Sequence, residues 1–296
     1  MGVFSRSWEV TKLSFGIIKK DKEMLIFPIL SSIFSLIFMA ALLVPTVIME
    51  LINDMGPEAA NNPSLGGTDY LFLFLTYFGL ALIATFFNVC VVYTTKVRLE
   101  GGNATFWESI KFGFSKFGKI IQWAFISAIF GVILAILQSL AEKLGTVGRI
   151  LVGFLRGLLS FAWGIATIFV SQGIVYYNLS PGNAIKHSVE VLKRTWGESI
   201  VRHFGLGLIE GIMVFLGIIA TAVLAVVFAS ISPTAMIIVI IIGVIYFAMV
   251  ILVFNVANSV FNTVLFVYAD KGTIPELASP DVVQNAFKVK KIRARN

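Results

Sequence analysis

The sequence predicts an all-α membrane protein: a six-span transmembrane helix bundle built from three parallel repeats, each an interfacial amphipathic helix followed by a transmembrane hairpin. Three observations predict it. The chain is 58% hydrophobic and 13% charged, about half the charged fraction a soluble domain needs to cover its surface. Six apolar runs reach the roughly 20 residues that a helix needs to cross a bilayer. One junction, a glycine-asparagine turn leading into an aromatic and basic helix, is written at Gly102 and again at Gly182.

The N-terminal segment reads as an amphipathic helix. Phe4, Trp8, Thr11, Phe15 and Ile18 recur at three- and four-residue spacing, with Ser5, Glu9, Lys12 and Lys19 opposite. It has neither a cleavable leader pattern nor a myristoylation pattern, since the apolar run begins after Met24 and Arg6 stands where Ser or Thr is required. The spans follow as Leu25–Ile52, Tyr70–Tyr93, Ile120–Ala141, Ile150–Tyr177, Phe204–Ile231 and Ala235–Tyr268. Runs of this length are helices and not barrel strands, because a lipid-exposed backbone must satisfy its own hydrogen bonds and alternating ten-residue segments are absent.

The connections differ in charge. Between the first two spans lies an acidic, turn-rich loop without a base, and between the fifth and sixth a tight hairpin at Pro233. The basic residues collect elsewhere: 20 of 23 fall in the N-terminal segment, the second-to-third and fourth-to-fifth connections, and the C-terminal tail, leaving Lys143, Arg149 and Arg156. The positive-inside rule places both termini in the cytoplasm of a multi-pass cell-membrane protein. The net charge of +7 then faces anionic headgroups, and no nucleic-acid partner is needed to explain it. The Asn103-Ala-Thr acceptor pattern falls on the same inner side and is discounted.

The repeat is read from order. Asn103 is expected to cap a helix with Trp107, Ile110, Phe114, Phe117 and Ile121 on one face and Glu108, Lys111, Ser115 and Lys119 on the other. Asn183 is expected to cap a second, with Ile185, Val189, Leu192 and Trp196 against Lys186, Glu190 and Lys193. "WEVTK" at Trp8 aligns with "WESIK" at Trp107. Each copy precedes two spans whose second ends in Val-Tyr, with an amide one to two turns before: Asn88, Gln172 and Asn262. The repeats are 1–95, 102–177 and 181–268 of one membrane domain, 1–268. Because each holds two spans, they are parallel and not inverted. Trp8, Trp107, Trp196, Lys111, Lys193 and Arg194 are the expected interfacial anchors. An alternative is that these helices extend the spans into a cytoplasmic bundle. Residues 269–296 form a basic cytoplasmic tail with a short helix capped by Ser279 ahead of Pro280.

The stretch SRSWEVTKLSFGIIKKDKEMLIFPILSSI, with the span layout behind it, resembles a family of uncharacterised prokaryotic polytopic membrane proteins known only as a domain of unknown function. The resemblance implies an integral membrane protein and carries over no catalytic or binding residue. The plan of interfacial helix then hairpin is more loosely similar to bacterial sulfate-uptake membrane proteins.

No catalytic residue, cofactor or metal is predicted. His187 and His203 lack partners at ligand spacing and are expected at the solvated interface, and Cys90 sits in an apolar run as a buried thiol. Phosphate-loop, nucleophile-elbow and dinucleotide-binding patterns are absent, so an enzyme is not expected. The polar groups within the spans are Glu210, flanked by Gly205, Gly207 and Gly211 that would let helices approach; Arg156, reaching toward the outer face or an outer acid; and a stripe of Asn255, Asn258, Ser259, Asn262 and Thr263 on span six. With Asn88 and Gln172 the stripe could form a polar pathway or an interhelical network. Passage of a small polar solute or ion is the leading expectation. A non-catalytic protein that organises lipid or a partner is the alternative, and a lipid-handling enzyme the third.

Overall fold

The computed structural model describes Lys12, residues 14–53 and residues 67–271. Most of the acidic loop, Phe4, Trp8 and Thr11 of the first stripe, and the Ser279 tail lie outside them. The described residues are helical with no strands. After helical residues 14–20 and a 3-10 turn, Lys22–Leu25, come α1 (Ile26–Asn53), α2 (Gly67–Leu99), α3 (Phe106–Ser115), α4 (Phe117–Lys143), α5 (Gly145–Thr167), α6 (Val170–Tyr177), α7 (Pro181–Ala229) and α8 (Pro233–Lys271).

Six stretches are long and apolar enough to cross a membrane: Lys22–Val44, Gly67–Leu99, Phe117–Lys143, Gly145–Tyr177, Ile209–Ala229 and Pro233–Val267. They match the six runs read from the sequence, because hydropathy over 20 residues is a property of the chain alone. Burial divides most of these helices lengthwise. Phe86–Val92 of α2 apart from Asn88, Val170–Val175 of α6 and Val260–Val267 of α8 apart from Asn262 are buried, as are Ile120, Ala124 and Ala128 of α4. The rest is dominated by exposed Leu, Ile, Val and Phe, such as Leu36 and Ile37 on α1 and Val226 on α7. Exposed apolar faces of this extent on individual helices fit an apolar surrounding.

Local signals explain the joints. Gly113, Ser115 and Gly118 are weak helix formers, and the helix breaks at Lys116, φ −104° and ψ 4°, between α3 and α4. Glycines do not dictate a break by themselves, since α7 carries Gly205, Gly207 and Gly211 and is still one helix of 49 residues. The third amphipathic segment is therefore continuous with its span and not a separate element, as the alternative layout allows. Ser232 Oγ accepts the Ala235 N–H at 3.1 Å just ahead of Pro233, which makes the tight hairpin expected there. α2 ends in a turn where Gly101 adopts φ +83° and the Gly102 N–H donates to the Val97 carbonyl at 2.9 Å, a glycine C-cap.

The two expected asparagine caps are not where helices begin. α3 starts at Phe106, and its N–H donates to Glu23 Oε2 at 3.0 Å. Asn103 instead accepts from Arg98 Nη2. α7 starts at Pro181, so Asn183 lies inside its first turn. Proline at the first helical position sets that start, since its missing N–H and fixed φ suit it.

Contacts divide the chain into two compact units that interleave in sequence: Met1–Ile26, Thr94–Phe106 and Glu190–Asn296 form one, and Phe27–Tyr93 with Trp107–Val189 the other.

Candidate functional site

In the second unit, α3 presents three faces, because successive helical residues step by about 100°. Ser109 and Gly113 are buried. A Cβ added to Gly113 would lie 3.0 Å from Cys90 Sγ and 3.1 Å from the Phe86 ring, so the missing side chain lets α3 lie against α2. Tyr93 and Phe112 stack at 4.1 Å between centroids. Trp107 and Phe114 are 75% and 62% exposed, although the Phe114 ring also lies 4.9 Å from that of Phe86. Glu108 and Ser115 form a third, exposed polar face, and Lys111 stands exposed between the aromatic and polar faces. The aromatic stripe read from the sequence is thus exposed at Trp107, while Phe114 and Phe117 also touch Phe86 beside the close approach at Gly113.

Around the same joint, Lys116 Nζ donates to Asn178 Oδ1 at 3.0 Å and Lys119 Nζ to the Asn178 carbonyl. Asn178 closes α6 in the left-handed conformation, φ 53° and ψ 34°. Two ammonium groups at a helix C-terminus meet its partial negative charge and unsatisfied carbonyls. On the far side of α6, the Phe169 N–H donates to Ser188 Oγ at 3.2 Å, and Val170, Ile174 and Ala184 form a core with Trp123.

Asn88 and Gln172 belong to this unit. Asn88 Nδ2 donates to Ser171 Oγ at 2.9 Å, and Gln172 is 2% exposed. Arg156 donates to Gln138 Oε1 at 2.8 Å, and Gln138 Nε2 to Glu142 Oε1 at 3.3 Å. The expected link from Arg156 to an acid is therefore relayed through an amide. His187, expected at a solvated surface, is half-buried and edge-on to Tyr177 at 5.3 Å. Cys90 is fully buried.

The first unit holds the rest of the polar stripe. Ser259 and Thr263 are buried, with Thr263 Oγ1 donating to the Ser259 carbonyl at 2.8 Å. Asn258 and Asn262 are half-buried, and Asn262 Oδ1 is a buried atom without a hydrogen-bond partner among the described residues. Asn255, expected to face inward, is exposed: the buried Phe254, Val256 and Ala257 take the packed face. Glu210 is half-buried. The side chains of Trp196, Arg194 and His203 lie outside the described ones, and Lys193 is exposed. Gly207 and Gly211 are not points of close approach, since an added Cβ would meet nothing within 4 Å. Gly217 and Gly243 are: a Cβ at the first would come 2.3 Å from the Tyr246 ring, and at the second 2.5 Å from Thr221 Cγ2.

Two salient features of this unit went unread in the sequence. Arg98 Nε donates to Asp21 Oδ2 at 2.6 Å. Lys12, Phe15, Gly16 and Lys19 line a cleft of about 350 Å³ with Ile209, Met213 and Phe254. Among the described residues no group of three or more His, Cys, Asp or Glu is placed to hold a metal ion.

The model of a family described as "Family of unknown function (DUF6159)" matches residues 67–275. The match begins after the N-terminal stretch that carried the resemblance to uncharacterised membrane proteins, and it does not bear on the likeness to sulfate-uptake proteins. No curated protein matches the chain.

Proposed function

The chain belongs to that family of unknown function, and from this starting point we propose that it is a non-catalytic multi-pass membrane protein that gathers anionic lipid at the cytoplasmic leaflet through its amphipathic helices. The observation that carries this reading is the three-faced α3, which docks by Ser109 and Gly113 while exposing Trp107, Phe114 and Lys111. A soluble helix of this composition would turn its aromatics inward. Aromatic rings at the headgroup level with lysine beside them are the physical pattern of an interfacial anchor.

The three-repeat layout belongs to the same proposal. A Lys-x-small unit recurs as Lys12-Leu13-Ser14, Lys111-Phe112-Gly113 and Lys186-His187-Ser188. Each lysine is exposed and each small residue buried. Each segment also docks within its own unit on a returning span: Phe15 on Phe254 at 5.8 Å, Gly113 against Phe86 and Cys90, and Ser188 on Phe169. With the 20-to-3 charge bias, the repeats would present three basic aromatic helices to one anionic leaflet.

Tryptophan emission tests the reading. In liposomes, brominated phosphatidylglycerol is expected to quench the wild type more than brominated phosphatidylcholine at equal mole fraction, and Trp107→Phe to remove much of that excess. Equal quenching by the two lipids would overturn the proposal.

Passage of a small polar solute or ion is the second reading. It is favoured by Asn262, whose buried carbonyl oxygen has no partner among the described residues. A buried acceptor of this kind is costly unless something occupies it. Ion or solute flux into proteoliposomes that Asn262→Leu abolishes would establish it; no flux above empty liposomes would remove it.

A further inference from the structure

The cleft beside residues 14–20 has a composition that neither water nor plain hydrocarbon suits. Its rim carries Lys12 and Lys19, seven residues apart and so two turns along one helix edge, about 10 Å. Both are exposed. The rest of its lining is apolar: Ile209 and the exposed Met213 from α7 and the buried Phe254 from α8, with Phe15 edge-on to Phe254 at 83°. Gly16 lies between the lysines, and a Cβ there would meet nothing within 4 Å, so the helix leaves the space open.

We infer that this cleft is a binding site for one anionic phospholipid, its phosphate held between Lys12 and Lys19 and the start of its acyl chains against Phe15, Ile209 and Met213. The inference rests on the proposed cytoplasmic-leaflet reading and adds a discrete site to it. Charge selects the headgroup, since two ammonium groups at the mouth favour a phosphate without a compensating cation. The apolar wall selects an amphiphile over a dissolved anion, because a free phosphate would gain the lysines and leave the wall exposed.

The test is lipid retention by the full chain. Protein purified in mild detergent is exposed to equal amounts of phosphatidylglycerol and phosphatidylcholine, and bound lipid is counted by native mass spectrometry. The wild type is expected to keep one phosphatidylglycerol per chain in preference to phosphatidylcholine. Lys12→Gln with Lys19→Gln should weaken that retention at least tenfold. Gly16→Leu should abolish it by filling the cleft, while melting no lower than the wild type, because leucine is the better helix former. Inorganic phosphate should not displace the lipid. If the variants keep phosphatidylglycerol as the wild type does, the site is wrong and the leaflet reading stands. Displacement by inorganic phosphate would make it a dissolved-anion site and overturn the inference. If the wild type keeps no anionic lipid, the leaflet reading fails with it.

Discussion

Arg98 Nε and Asp21 Oδ2 lie 2.6 Å apart, with the two side chains only 18% and 7% exposed. The pair joins the turn after residues 14–20 to the basic end of α2, 77 positions away. Glu23, two residues on, reaches the first N–H of α3. One short acidic stretch thus fixes both the segment beside the lysine cleft and the start of α3.

Breaking the pair should loosen that end. Arg98→Leu leaves the Asp21 carboxylate enclosed without its donor, and should cost about 1.5–3 kcal/mol, the range for a hydrogen bond to a charged group. Asp21→Asn keeps an acceptor and should cost less. Thermal melting in detergent checks the order; equal melting of Arg98→Leu and wild type would contradict it.

Gly113 should tolerate no large side chain. With Cys90 Sγ and Phe86 already 3.0–3.1 Å from the site of an added Cβ, Gly113→Leu should push α3 off α2 and cost about 1–3 kcal/mol. Gly118 meets nothing within 4 Å, so Gly118→Leu is the control and should melt near the wild type.

Asn88→Leu removes the donor to Ser171 Oγ and should cost about 0.6–2 kcal/mol, the span measured for interhelical hydrogen bonds in membranes. A double-mutant cycle with Ser171→Ala isolates the pair, and additivity of the two losses would show that they are not coupled.

Topology is tested by reporters. One fused after Asn296 should read cytoplasmic and one inserted near Pro63 external. Finding both on one side would contradict six crossings with a basic cytoplasmic face.

The spans were legible because twenty apolar residues in a row carry their meaning without a partner. The Pro233 hairpin was legible for the same reason: a proline acts on its own backbone. What could not be read depends on who meets whom. Asn103 has a capping side chain, but Glu23, 83 residues away, caps the helix instead. Gly207 and Gly217 sit on one helix, yet only Gly217 faces a neighbour, Tyr246. In an apolar span the lipid face and the packed face share a vocabulary, so periodicity does not separate them. The docking of α3 through Ser109 and Gly113 was hidden for the same reason: an aromatic stripe marks one face and does not say which other residues meet the protein.

The central claim is that α3 lies in a membrane interface with its aromatics toward lipid, and site-directed spin labelling tests it most directly. Cys90 is the sole cysteine of the chain and is fully buried, so cysteines introduced at Trp107, Glu108, Phe114 and Ser115 can be labelled selectively in liposomes. The account predicts high oxygen accessibility at positions 107 and 114, and high accessibility to a water-soluble nickel chelate at 108 and 115. Equal, aqueous accessibility at all four positions would contradict it.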